Sequence, residues 1–238
     1  MKRRKIPTLI TELDKILGGG FRRGTFNIFD VGEGVGVGHT YVLTPLFFNF
    51  ILQGYPFFSI PSKGIFSYDI VGEFPPSVLN GEVIKLIEKY FCVFSPPTTD
   101  FDSSNKAYKT YFIEGKDFTE DLRMFRDVAV KVLHEVQADT LVVTMASDTM
   151  EYIYGTKDLL KVVQAWMDQI KQLNGIVALF QFRHKVLRIP THLASSYFRL
   201  ENIGGNVVFY GEIPRTKIYV TALDISDKYV QTRFIPVE

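Results

Sequence analysis

Glu33-Gly34-Val35-Gly36-Val37-Gly38-His39-Thr40 is the stretch on which the fold turns. A β-favouring apolar run precedes it, Thr25 to Val31 (TFNIFDV), and reads as a buried strand. His39 to Gln53 follows and reads as a helix. Strand, glycine-rich turn, helix is the order in which a chain builds a phosphate cradle. Backbone N–H groups converge at the helix N-terminus, a lysine adds charge and a hydroxyl takes the metal. The spacing of G-x-x-x-x-G-K-[ST] is kept, but Glu33 stands for the first glycine and His39 for the lysine. Gly34, Gly36 and Gly38 keep the turn supple, and Thr40 keeps the hydroxyl.

Working outward, Thr11 to Leu17 predicts a short helix, ended by Gly18-Gly19-Gly20. Tyr55 to Ile60 (YPFFSI) predicts a second strand and Ala107 to Ile113 (AYKTYFI) an alternating one. Between Pro61 and Asn105 the pattern yields only a helix around Glu82 to Lys89 and a Pro-rich loop at Ser95 to Thr99. Asp117-Phe-Thr-Glu120 is a capping-box-like start. The helix behind it carries Phe118, Leu122, Phe125, Ala129, Val132, Leu133 and Val136 on one side. Thr140 to Val143 predicts a buried strand, Thr156 caps a helix running to Asn174-Gly175, and Gly175 to Phe182 (GIVALFQF) predicts another strand. From Ser196 the chain reads as consecutive strands with turns at Gly204-Gly205 and Gly211. Helices alternating with buried strands imply a mainly parallel sheet with helices on both faces and a C-terminal β extension.

The length of 238 residues suits one α/β domain, 1–238. A net charge of +1 gives no global electrostatic footprint for nucleic acid. The single Cys92 cannot form an internal disulfide, and no secretory signal or bilayer-length apolar segment is read, so a reducing cytoplasm is expected. The 21 Phe and 12 Tyr point to a Phe-rich core, with some rings facing a partner as the sharper alternative.

The opening Leu13-Asp-Lys-Ile-Leu-Gly-Gly-Gly20-Phe-Arg-Arg-Gly24, followed by the strand and the glycine loop, resembles the RecA-type P-loop ATPases of the KaiC and RadA kind. The resemblance is strong over Ile6 to Ile60 and weakens between Pro61 and Asn105. It implies a three-layer RecA-like α/β fold and, at the same time, shows which catalytic groups are missing. His39 is mostly neutral at physiological pH, and Glu33, with Asp30 upstream, adds negative charge beside the phosphate place. A pair of unit charges about 4 Å apart near a surface is worth about 4 kcal/mol, so these changes cancel most ATP affinity. Thr144 stands where the Mg²⁺-linked Asp of the next core strand belongs, with Asp148 four residues too late. Phe57 to Ser62 holds no water-activating carboxylate, and Thr221 and Leu223 replace the cations that the family supplies in trans. Pro45 inside the loop's helix is a further departure. Losing these groups together removes the electrostatic stabilisation on which phosphoryl transfer depends.

The resemblance therefore implies a non-catalytic paralogue, like archaeal ones of unknown function, with no catalytic residue, no metal and no cofactor. High Phe, Tyr, Lys and Ile would suit a thermophile. The four histidines (His39, His134, His184, His192) show no metal spacing. Gln181 ends its strand where the family senses the γ-phosphate, or is simply a satisfied polar group. Arg183-His184-Lys185 and Arg188 form a basic loop that RadA-like proteins use for DNA; a solvated loop is the commoner reading, so nucleic acid is not the expected partner, nor is a membrane. An active hydrolase with an atypical loop and a DNA-binding recombinase mediator are the rival functions.

RecA and RadA assemble by laying a neighbour's peptide along an outer strand, with one aromatic ring entering a pocket against a helix. By that resemblance the strand is Ala107 to Ile113, with Tyr108 and Tyr111, and the helix face is Leu122, Phe125, Arg126 and Ala129. Tyr55, Phe57 and Ser59 would lie on the adjacent strand. Protein or peptide capture by edge-strand addition, or self-association, is the expected activity.

Overall fold

The computed structural model describes residues 5–62, 78–97, 108–182, 189–225 and 230–237. In chain order the elements are β1 (Lys5–Ile6), α1 (Thr11–Leu17), β2 (Phe21–Arg22), β3 (Thr25–Val31), α2 (Thr40–Leu52), β4 (Phe57–Ile60), α3 (Gly81–Tyr90), β5 (Phe91–Ser95) and β6 (Lys109–Phe112). There follow α4 (Phe118–Val136), β7 (Val142–Ala146), α5 (Ser147–Tyr154), α6 (Leu159–Gln172), β8 (Ile176–Phe182), β9 (Ser196–Ile203), β10 (Asn206–Ile213), β11 (Tyr219–Ile225) and β12 (Val230–Pro236).

Among the described residues, ten strands form one sheet in the order β12-β11-β10-β9-β3-β8-β7-β4-β5-β6. From β9 to β6 every pairing is parallel, and β9 to β12 is an antiparallel run that extends one end. β3 is central, so both its faces are buried from Phe26 onward and its sequence is apolar apart from Thr25, Asn27 and Asp30. Phe29 and Val31 face a core shared with α1, α2 and α3; Phe26 and Ile28 face a second core shared with α4, α5 and α6. This is the three-layer α/β arrangement that the alternation implies.

Phenylalanines fill both layers. Phe47 meets Phe57 at 5.2 Å and Phe91 at 4.6 Å, while Phe125 meets Trp166 at 4.9 Å and Phe94 at 5.1 Å. Each such ring contributes about 1.5–3 kcal/mol by leaving water. Helix α2 (TYVLTPLFFNFIL) is apolar around its whole circumference because α3, β11 and β12 also pack on it. Pro45 has no N–H to give to the Tyr41 carbonyl one turn back. The Thr232 hydroxyl of β12 donates to that carbonyl instead.

Several boundaries differ from the sequence reading. The stretch between Pro61 and Asn105 holds an additional strand, β5, directly after α3. Helix α5, directly after β7, has no counterpart in the sequence reading. Strand β7 runs to Ala146, so Thr144 lies within it. Thr156 does not cap α6; its hydroxyl donates to Glu151, and α6 begins at Leu159. Among the described residues no helix is long and apolar enough to cross a membrane.

Candidate functional site

The loop after β3 lies at the carboxyl ends of the parallel strands, where open α/β sheets place ligands. Gly34 and Gly36 take φ of 76° and 56°, so the turn uses the conformation that glycine alone adopts without strain. Gly32 N–H donates to Leu200 C=O at 2.8 Å, and Asn202 Nδ2 donates to Gly34 C=O at 2.8 Å, tying the loop to β9. Val35 is buried and belongs to the α2-side core. A 3-10 turn, Gly36–His39, then leads into α2, with the N–H of Gly38 bonded to Val35 C=O.

Gly38 is needed for its size, not its φ. A Cβ there would stand 2.5 Å from Val207 Cγ2 and 3.2 Å from Val35 Cγ1. Gly38→Val is expected to cost about 1–3 kcal/mol through overpacking against a stiff β-branched neighbour. A thermal melt reads the loss; an unchanged melting temperature refutes this account of the loop.

His39, in the lysine place, is only 4% exposed. Its ring meets Phe182 edge-on at 5.2 Å and Phe180 at 6.0 Å, and its Nδ1 lies 3.0 Å from the Gly36 carbonyl oxygen. A carbonyl only accepts, so Nδ1 carries the proton. Burial lowers the pKa of His39, against smaller upward pulls from the Gly36 carbonyl and the Asp148 charge. The group is therefore neutral and apolar-packed where a P-loop needs a cation. In the unfolded chain an imidazole titrates near about 6.5. Between that pH and the lower folded value the unfolded state holds the extra proton, so stability is complete above the unfolded value and falls as pH drops below it. Urea midpoints taken from pH 7.5 downwards are expected to decline, and His39→Gln to flatten the decline; equal slopes in both proteins contradict the burial of a neutral imidazole.

The other expected positions are also bonded within the fold. Thr144 is buried, and its hydroxyl donates to Ser59 Oγ at 3.2 Å, across to β4. Ser59 thus sits where a carboxylate would have to act, and its partner is a hydroxyl. Asp148, at the start of α5, accepts from Ser62 Oγ at 2.6 Å. Thr221 is buried with its hydroxyl on Val207 C=O at 2.8 Å. Glu33 is exposed on the loop. Asp30, however, does not stand beside the loop. It points to the sheet face opposite α2, is fully buried and accepts from Tyr197 Oη at 2.8 Å. Its carboxyl group is separated from the phosphate place by the sheet, because alternate residues of a strand face opposite ways. Gln181 is on that same far face, with Oε1 accepting from Ile189 N–H at 2.6 Å. The basic residues Arg183, His184, Lys185 and Arg188 lie outside the described residues. Among the described residues no group of acidic, His and Cys side chains is placed to hold a metal.

At the other end of the sheet β6 is the outer strand, and Ile113 N–H bonds to Ser95 C=O at 2.8 Å, on β5. The strand beside β6 is β5, not the one carrying Phe57, because the unread β5 intervenes between them. Phe57 is core, and Tyr108 is buried with its ring 4.9 Å from Phe91. The helix face expected to receive a partner's ring is already filled. Phe125 and Ala129 are fully buried beneath Phe58, Phe94 and Trp166, and Tyr111 stacks on Phe94 at 5.2 Å. Arg126 is exposed, Leu122 and Tyr111 half-buried, and Phe112 presents an outward ring, 42% exposed.

No family model matches the chain, and no curated protein matches it by sequence. Among solved structures, a KaiC-like protein from the hyperthermophilic archaeon Pyrococcus horikoshii superposes with a TM-score of 0.61 at 14% identity, over 97% of this chain and 99% of that one. The likeness is one of fold and spans both the parallel core and the antiparallel extension: this chain carries the KaiC-like, RecA-type α/β fold.

Proposed function

We propose that this chain is a non-catalytic, KaiC-like module, a degenerate paralogue whose 1–238 domain binds proteins or peptides and does not turn over nucleotide. The observation that carries the reading is His39, a buried neutral imidazole packed on Phe180 and Phe182 in the place of the phosphate-binding lysine. Thr144 and Ser59 support it, since hydroxyls bonded to each other stand where the metal-linked and water-activating carboxylates belong. Among the described residues β6 is the outer strand of the sheet, the kind of position that suits main-chain pairing with an extended peptide or a second copy. Recognition there rests on strand addition and on Phe112 and Arg126 beside it, since the pocket under Ala129 is occupied by the chain itself.

Calorimetry with ATP and ADP in Mg²⁺ is the test. Dissociation constants weaker than about 100 μM are expected, corresponding to about 5–6 kcal/mol. Hydrolysis is expected at background, with no gain in His39→Lys, because one lysine restores neither the metal ligand nor the water-activating base. Micromolar binding, or turnover abolished by Thr40→Ala, refutes the reading.

A further inference from the structure

A recess of about 290 Å³ lies at the end of the sheet opposite the glycine loop, where β3 and β9 begin. Every residue that lines it is a described one. It is far roomier than the roughly 10–15 Å³ that one water needs, and close to the lower end of small-molecule sites, about 300–1,000 Å³. Its floor is polar where a central sheet calls for carbon. Asn27 of β3 and Ser196 of β9 line it, and both are 2% exposed. Burying such groups costs free energy unless they are bonded. Ser196 Oγ donates to Asn27 Oδ1 at 2.7 Å, and Asn27 Nδ2 donates to Val177 C=O at 3.0 Å. The floor is therefore held in place and carries no charge. The buried Phe21 ring, with Ile16 and Leu17, supplies an apolar wall.

Arg22 is the one ionised side chain of the lining, and it is exposed at the rim. Among the described residues no carboxylate pairs with it, whereas its neighbour Arg23 is paired with Asp139. Helix α1 ends against the recess at Leu17, and the carbonyls of a helix C-terminus repel an anion. Lys5 Nζ donates to two of those carbonyls, Leu17 C=O and Gly18 C=O, each at 2.6 Å, and so sets a second positive charge there. A neutral fixed floor, an apolar wall and a guanidinium at the mouth match a molecule with an apolar body and a carboxylate at one end. A guanidinium fork fits the two oxygens of a carboxylate, whereas a bare inorganic anion leaves the apolar wall uncovered. We propose that this recess binds a small organic monocarboxylate, with the carboxylate on Arg22 and the body against Phe21, Ile16 and Leu17. This goes beyond the non-catalytic reading, and the site shares no residue with the glycine loop or with β6.

The probes are benzoate and benzamide, which share a shape and differ in charge, titrated into full-length ¹⁵N-labelled protein. Benzoate is expected to bind at least about tenfold more tightly, the size of one charge-assisted hydrogen bond. It should move the backbone resonances of Gly20, Phe21 and Ser196 and leave those of the glycine loop in place. Inorganic phosphate at the same concentration should not displace it. Arg22→Gln should bring benzoate down to the affinity of benzamide. Arg215→Gln, which removes an exposed cation outside the recess, should leave the preference intact. If Arg22→Gln fails to fold, the ratio of the two affinities and the shifted resonances still decide the matter. Equal affinity for the two probes, displacement by phosphate or an equal loss in Arg215→Gln overturns the assignment, as do resonance shifts confined to other regions or no binding of either probe. Nucleotide calorimetry is a separate readout, so micromolar ATP binding would sink the non-catalytic reading while leaving this result standing.

Discussion

Ala129→Arg is expected to unfold the domain, not to block a surface site. Ala129 is fully buried on α4, one turn from Phe125, whose ring is enclosed by Phe58 at 5.7 Å, Phe94 at 5.1 Å and Trp166 at 4.9 Å. A guanidinium there has no partner and no room. Burying an unpaired charge and overpacking a closed layer together are worth at least about 3–5 kcal/mol, a large share of the roughly 5–15 kcal/mol that holds a domain together. Urea denaturation should show a midpoint far below that of the native chain, or no folded baseline. A native midpoint would mean that α4 does not dock as described. A usable probe of the β6 edge is Thr110→Pro. Ile113 N–H points to β5, so by alternation the Thr110 N–H faces away from β5, and losing it leaves the β5–β6 ladder intact. Thr110→Pro should weaken self-association or peptide pairing in sedimentation while the melting temperature holds.

Gly20→Ala is the second large effect. Gly20 takes φ of 111°, and a Cβ on it would stand 2.0 Å from the Ile6 carbonyl oxygen, 2.5 Å from its carbon and 2.7 Å from Pro7 Cα. All three are backbone atoms that cannot swing away. Accommodating the methyl means pulling β1 from β2, where Ile6 pairs with Phe21, and Phe21 is fully buried. Strain and steric overlap sum to about 3–5 kcal/mol. The melting temperature should drop by many degrees, with Phe21 exposed. Wild-type stability would show that the glycine triplet answers to something other than this close approach.

The parts of the fold that were legible are those with local signals. β3, the glycine turn and α2 announce themselves through a strand-length apolar run, three spaced glycines and an apolar stretch of helix length. β5 was illegible because α3 passes straight into it. Tyr90 ends the helix and Phe91 is already extended, at φ −103° and ψ 131°, with no glycine or proline between them. The end of β7 is hidden in the sequence by Thr144, a polar residue that interrupts the apolar run but is bonded sideways to Ser59. Asp30 was misplaced for a related reason. With both faces of β3 buried, its sequence carries no polar and apolar alternation to say which face meets α2. The occupied pocket under Ala129 was out of reach too, because Trp166 arrives from α6, and which helix covers which is a tertiary fact. The substitutions in the phosphate loop, by contrast, were visible at once. Spacing fixes the place of His39, and burial adds only what the imidazole does there.

The hydroxyl of Thr232 and the carbonyl of Tyr41 that it satisfies are 191 residues apart along the chain. At about 5–20 residues per second of synthesis, roughly 10–40 s separate the emergence of the proline-broken helix turn from that of its remedy. Through that interval the nascent chain carries a segment that is apolar on every side, with a carbonyl that only water or a chaperone can satisfy. Until β12 is in place, therefore, the first turns of the helix that follows the glycine loop lack the one donor that the folded domain supplies to the Tyr41 carbonyl.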